Sequence, residues 1–322
     1  MIGRALSCCV LAGAVCFTQA DANAQYPNRP IRIVTGFAPG AASDTISRIV
    51  GQKFTEAWGP QVIVDNRPGA SGMLGAEIVA RSVPDGYTLG TVIGALVINP
   101  SLYSKMPFDP IRDFTPIALI GRITNVVTVH PSLPVRSIKQ LVALAKAQPG
   151  KLVYGTGGTG SVGHLTAEMF KQAAGIDMEH IPYKGGAPAM ADLVGGQIPL
   201  TFSVLLTALP QIKADRIVAL AVTSGTRQAV LPEVPTLTES GYPGFDTADW
   251  WALVGPAGMP ADIVAKLNAE INRMLQQRDV KERFASLAVE AIGGTAEQLG
   301  NLMRADLERW ARVIKTAGIK SE

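Results

Sequence analysis

Two glycine-rich stretches hold the residues best suited to bind or react. The first is Gly36-Phe37-Ala38-Pro39-Gly40-Ala41-Ala42-Ser43-Asp44, and the second is Gly155-Thr156-Gly157-Gly158-Thr159-Gly160-Ser161-Val162-Gly163-His164. In both, small side chains let backbone N–H groups face outward, and helical spacing begins just afterwards. The first turn of a helix has N–H groups without partners and a partial positive charge, so either loop suits a carboxylate or a phosphate. Asp44 falls in such a turn, where a carboxylate caps free N–H groups. Thr156, Thr159 and Ser161 add hydroxyl donors to the second loop. A tight strand-to-helix turn that binds nothing is the competing reading of the first loop. Residues 66–72, Asn-Arg-Pro-Gly-Ala-Ser-Gly, repeat the Pro-Gly-Ala theme before another helical segment.

The second loop also fits the Gly-x-Gly-x-x-Gly spacing of dinucleotide sites, but only formally. Such sites need an acid at the end of the next strand, about 20 residues on. Glu179 instead begins that strand, just before His180. Catalytic groups are sparse. The histidines are His130, His164 and His180, with no His-Glu-x-x-His motif and no Gly-x-Ser-x-Gly elbow. Ser161 and His164, three apart at a helix start, could touch, but His164 reads as a brace that supports the loop by hydrogen bonds. No carboxylate pair or metal cluster assembles from the sequence, so neither a metal nor a cofactor is expected. Trp250 and Trp251 read first as core or domain-contact aromatics, with ligand contact by Trp250 as the second reading.

The elements that must position these loops alternate. Residues 30–36, 61–65 and 87–93 read as strands, and 43–57 and 71–82 as helices between them. A second block alternates strands at 151–156, 178–183, 198–204 and 216–223 with helices at 137–147, 161–174 and 187–194, after a run that begins at Asn125. Residues 228–245 read as a surface loop, 250–254 as a strand, and 261–276 and 296–317 as helices. Strands separated by helices of this length imply βαβ units and largely parallel sheets.

The chain has 322 residues, 47% apolar and 17% charged, which excludes a disordered chain, a coiled coil and a collagen-like repeat. A net charge of +3 is too weak to argue for nucleic acid. Residues 1–24 read as a signal peptide: Arg4, an apolar run from Ala5 to Phe17, then Ala22-Asn23-Ala24 as the cleavage site. Cys8, Cys9 and Cys16 all lie within it, so the mature chain is expected to lack disulfides, thiolate metal sites and a cysteine nucleophile. Gly13-Ala14-Val15-Cys16 lacks the leucine of a lipoprotein site. Export of a cysteine-free chain points to the bacterial periplasm.

Further motifs run through the whole mature chain: Tyr26-Pro27 with Pro30-Ile31-Arg32, Pro39-Gly40 with Asp44, Asn66-Arg67-Pro68-Gly69-Ala70, and Pro84-Asp85-Gly86-Tyr87-Thr88-Leu89. Asn99-Pro100, Tyr154-Gly155 through His164-Leu165, His180-Ile181-Pro182-Tyr183-Lys184-Gly185 and Gly195-Gly196-Gln197 follow. Leu231-Pro232-Glu233-Val234-Pro235-Thr236 and Gly255-Pro256-Ala257-Gly258 complete the series. In these the chain resembles the Bug-type solute receptors, the extracytoplasmic binding proteins of tripartite tricarboxylate transporters. It departs at Ala41, where the family commonly has a second glycine after Pro-Gly.

The resemblance implies an α/β periplasmic-binding-protein fold of the second type, with two lobes joined by two crossings and closing on a ligand. Lobe one would be residues 26–125 and 247–322, and lobe two 126–246. Helix-start loops of both lobes would grip a ligand carboxylate: Phe37, Ala38, Pro39, Gly40 and Ala41 with Asp44 as support, and Gly157, Gly158, Thr159, Gly160 and Ser161 with His164 behind. The implied protein is a monomeric receptor, not an enzyme, that binds a small organic carboxylate and serves the membrane subunits of a tripartite tricarboxylate-type transporter. A sensory binding protein would use the same clamshell. A nucleotide-dependent enzyme using residues 155–160 is a weaker alternative, because the periplasm has no supply of NAD or ATP. The remaining selectivity is expected in loops such as 95–99 and 203–207, which contain no Arg, Lys, Asp or Glu.

Overall fold

Runs of β-branched and aliphatic residues form strands that feed directly into amphipathic helices. The computed structural model describes residues 26–319, so the signal-peptide reading of 1–24 and its cysteines lies outside the described residues. The elements of the first half are β1 (Ile31–Thr35), α1 (Ala42–Trp58), β2 (Val62–Asn66), a 3-10 turn (Ala70–Gly72), α2 (Met73–Ala80), β3 (Thr88–Ile93), α3 (Ala95–Leu102) and β4 (Phe114–Val129). There follow α4 (Ile138–Ala147), β5 (Val153–Thr156), α5 (Val162–Ala174), β6 (Glu179–Pro182), α6 (Gly186–Val194), β7 (Leu200–Val204), α7 (Leu205–Lys213) and β8 (Val218–Val222). The chain ends in β9 (Ala248–Pro256), α8 (Ala261–Leu275), α9 (Arg278–Ser286), β10 (Glu290–Ala291) and α10 (Ala296–Ala317). Residues 228–245 form the expected loop, tied to β8 by a bridge from Thr236 to Val222.

Strand order is β2-β1-β3-β9-β4-β7-β5-β6, with β8 and β10 also on β4. The expected parallel units lie at the flanks: β1 runs parallel to β2 and β3, and β5 parallel to β6 and β7. Between them the sheet is antiparallel. β9 opposes β3 and β4, and β4 opposes β7 and β8. The two flanks thus repeat one another around a shared seam. Strand β4 joins them, since residues 114–124 pair with β9 and residues 125–129 with β7.

Three segments differ from the sequence reading. Strand β4 starts eleven residues before Asn125 and is 16 residues long. Its first part shifts register between Pro116 and Ala118 and between Leu119 and Gly121, and such irregularities erase the alternation that marks a strand. Residues 95–99 open α3, and Leu205–Thr207 open α7, so neither segment is a loop. Each of these short helices contains a proline, Pro100 and Pro210, which reads from sequence as a break.

The core is continuous from flank to flank. Val162 and Leu165 of α5 pack in one cluster with Leu96, Trp250, Leu299, Met303 and Trp310 of the other flank. Phe54 on α1 is fully buried with Ile31, Ile33 and Leu89, a burial worth roughly 2–3 kcal/mol for that side chain. Helix α10, which carries much of the seam, is held at its start by a capping box between Thr295 and Gln298.

Candidate functional site

In open α/β sheets, ligands bind outside the carboxyl ends of the strands, where the strand order reverses. Here β1 leads to β2 on one side while β3 lies on the other, and β5 repeats the arrangement, with β6 on one side and β7 on the other. The loops that leave β1, β3, β5 and β7 therefore lie around the point where β4 passes from β9 to β7, where the crevice is expected. Each loop ends at the start of a helix: α1, α3, α5 and α7.

The first loop is held from behind. Gly40 N–H donates to Asp44 Oδ2 at 2.9 Å, and Asn66 Nδ2 donates to Asp44 Oδ1 at 2.9 Å and to Phe37 O at 3.0 Å. Arg48 Nε reaches Asp44 Oδ2 at 3.0 Å. Burial opposes ionisation of Asp44, but the hydrogen bonds from Arg48, Gly40 and Asn66 prevail and hold it below the usual carboxylate range. Asp44 is thus occupied as loop support and leaves the start of α1 open. Ala41 is the N-cap there and offers no side-chain cap, so the first-turn N–H groups stay available to an anion. Beside this loop lies a narrow apolar pocket lined by Gly36, Phe37, Ser71, Thr91, Leu96 and Asn99. Thr91 Oγ1 is buried without a hydrogen-bond partner among the described residues.

The second loop is braced differently. Gly160 N–H donates to His164 Nδ1 at 3.1 Å, and His164 N–H donates to Ser161 Oγ at 3.3 Å. Because Nδ1 accepts, the neutral His164 ring carries its proton on Nε2. Its ring stacks on His180 at 3.8 Å, and His180 Nε2 lies 2.7 Å from Thr156 Oγ1, which also takes the Gly158 N–H at 3.2 Å. Burial, helped by the nearby Lys171 charge, pushes His164 down to about 4. Burial and the neighbouring His164 push His180 down to about 3. Both rings are therefore neutral near pH 7, and the loop's shape does not titrate there. The N–H groups of Val162 and Gly163 remain without helical partners. Gly163 is needed for close approach, since a Cβ there would lie 2.5 Å from Phe202 O.

Of the residues singled out from sequence, Phe37, Ala38, Pro39, Gly40 and Ala41 with Asp44 lie between β1 and the first turn of α1, and Gly157, Gly158, Thr159, Gly160 and Ser161 with His164 lie between β5 and the first turn of α5. Two differ in detail. The Gly160 N–H is spent on His164, so Gly160 serves by its turn conformation (φ +76°) and not as a ligand donor. Trp250 is buried, and its Nε1–H donates to Asp306 Oδ2 at 2.9 Å, so the indole belongs to the core against α10. Trp251 likewise donates to Ser43 Oγ at 2.9 Å, tying the seam to α1. Sequence reasoning missed the seam itself. Thr223 N–H donates to Asn125 O at 2.9 Å, Thr223 Oγ1 to Thr247 O at 2.8 Å, and Asn125 Nδ2 to Asp249 Oδ2 at 3.2 Å. The sequence signal was that Asn125 and Asp249 are polar residues directly before the apolar runs Val126-Val127 and 250–254.

The geometry weighs against a dinucleotide. Glu179 pairs with Val153, the first residue of β5, whereas the glycine loop leaves the other end after Thr156. The acid is a strand length away, about 10 Å, from where it would have to reach a ribose. Among the described residues, no group of three or more His, Cys, Asp or Glu could hold a metal ion. No described helix is long and apolar enough to cross a membrane.

Comparison with known proteins agrees with this fold. Residues 46–319 match the family model described as tripartite tricarboxylate transporter family receptor. The protein BugT of Bordetella pertussis is 34% identical over 297 residues, covering 92% of this chain and 91% of that protein. The structure of Rpa4515 from R. palustris with adipate superimposes with a TM-score of 0.80 at 35% identity, covering 92% of this chain and 100% of that one. MatC from Rhodopseudomonas palustris with bound malate gives 0.75 at 29% identity, covering 90% and 100%.

Proposed function

Because the chain belongs to the receptor family of tripartite tricarboxylate transporters, whose members are solute-binding proteins and not enzymes, we propose that it captures a small organic carboxylate between two lobes and delivers it to the membrane subunits of such a transporter. The observation that carries this reading is the pairing of two open helix starts, those of α1 and α5, at equivalent places in the two flanks. Each is backed by a group that fixes the loop without filling it, Asp44 in one and His164 in the other. Backbone N–H groups at the two helix starts suit an oxyanion, and relatives solved with adipate and with malate favour a carboxylate.

In this reading residues 26–125 and 247–322 make lobe one and 126–246 lobe two. Residues 1–24 direct export, and the mature monomer works in the periplasm. A thermal-shift screen of organic acids tests it. A ligand at 100 times its Kd stabilises by about 2.7 kcal/mol, which for a chain of this size raises the melting temperature by roughly 5 °C. The expected result is a rise of this order with an acid such as adipate or malate, none with its diamide, and no change on adding a chelator. No stabilisation by any acid of the screen would overturn the proposal.

A further inference from the structure

We propose that Asp249, steered by Asn125 on the crevice floor, selects among carboxylate ligands by accepting a hydrogen bond from an ammonium or hydroxyl group on the ligand's carbon chain. The inference rests on the receptor reading above and adds the ligand's chemical class: an amino or hydroxy acid in preference to the plain acid.

Placement comes first. Strand β3 ends at Ile93, which pairs with Trp251 of the antiparallel β9. Asp249, two residues further along, therefore lies just outside the carboxyl end of β3. On the other flank, Asn125 pairs with Val204, the last residue of β7. Asp249 and Asn125 thus meet where the carboxyl ends of β3 and β7 converge, between the anion loops. Gly163, in the first turn of α5, sits against the same amide: a Cβ on it would lie 3.4 Å from Asn125 Oδ1.

The chemistry at this point is incomplete. Asn125 is fully buried, and its Oδ1 has no hydrogen-bond partner among the described residues. Its Nδ2 donates to Asp249 Oδ2, the one hydrogen bond of that carboxyl among the described residues. Among the described residues no charged neighbour acts on Asp249; burial raises it to about 6, against the pull of Asn125. Near pH 7 it is still mainly ionised, and its side of the seam remains partly exposed. A carboxylate has about four acceptor positions, and here one amide fills one of them. Closing the lobes over it would strand the rest unless the ligand brings a donor, and an unsatisfied buried acceptor is costly. A plain dicarboxylate would instead set a second negative charge against the first. An ammonium gains most, because both partners of the new hydrogen bond are charged.

Matched acids separate the possibilities: succinate, aspartate and malate; glutarate, glutamate and 2-hydroxyglutarate; adipate, 2-aminoadipate and 2-hydroxyadipate. Each is titrated calorimetrically at pH 7.5 into the wild type, Asp249→Asn and Asp249→Leu, with folding checked by circular dichroism. In the wild type, the tightest ligand should carry an ammonium or hydroxyl and bind about 10- to 100-fold better than its plain counterpart. The ammonium and hydroxyl arms show which donor is read. Asp249→Asn should lose most of an ammonium preference while keeping part of a hydroxyl preference, because an amide oxygen still accepts. Asp249→Leu should lose both. Plain acids binding as tightly as their substituted partners, or a preference unchanged in the variants, would overturn this inference and leave the receptor reading standing. No binding of any acid by the wild type would remove both. If the variants do not fold, the wild-type ratio alone decides.

Discussion

Ala41→Asp is expected to raise the melting temperature while removing affinity for carboxylates. Ala41 is the N-cap of α1, with extended φ −68° and ψ 160° and no side-chain cap. Aspartate is among the best N-cap residues, and capping an uncapped helix stabilises by about 0.5–2 kcal/mol. The same carboxylate would occupy the N–H groups meant for the ligand and repel the ligand's charge. Losing that set of charged hydrogen bonds should cost about 2–4 kcal/mol, or roughly 30- to 1,000-fold in affinity. Thermal melts and calorimetry on the same sample measure both effects. Their opposite signs separate a blocked site from a damaged fold. Full-affinity binding would show that the first loop is only a turn.

Gly160→Ala is expected to weaken both the fold and the binding. Gly160 has φ +76°, a region that costs an L-residue roughly 1–2 kcal/mol. A Cβ there would also lie 2.2 Å from Leu102 Cδ1, at the end of α3 in the opposite flank. The added methyl therefore presses on the contact between the two flanks and on the Gly160–His164 hydrogen bond together. The expected result is a melting temperature lower by several degrees and an affinity lower by about tenfold or more, since closing the lobes must now displace Leu102. Calorimetry gives the affinity, and solution scattering with ligand should show a less compact state than the wild type. Wild-type affinity in this variant would remove Gly160 from the closing contact.

Much of this was legible in the order of residues. Ile31, Ile33 and Val34 followed by Ile46, Ile49 and Phe54 announce a strand and then a helix, and the small residues between them mark the loop. The second loop was legible for the same reason, and the bracing role of His164 follows from its place one turn past Gly160. What the sequence hides is whatever depends on partners far along the chain. Asn125 and Asp249 are 124 residues apart, and only the antiparallel seam brings them together. The commitment of Trp250 to Asp306 likewise spans 56 residues and turns a possible ligand aromatic into a core one. Short helices with internal proline, α3 and α7, escape periodicity because eight or nine residues give barely two turns and the proline contradicts the pattern. Their starts nevertheless follow β3 and β7 directly, so two of the four helix starts at the carboxyl ends of these strands came from the fold alone.

The central claim is that one carboxylate is held by the open starts of both α1 and α5. Backbone amide resonances report it most directly. The protein, labelled with nitrogen-15, is titrated with the tightest-binding acid of the thermal screen, and with the corresponding amide as control. Resonances of Ala42 and Ser43 in α1, and of Val162 and Gly163 in α5, should shift together, with one common Kd, and stay unmoved by the amide. Shifts confined to one helix start, or absent from both while the acid still binds, would contradict the two-sided grip.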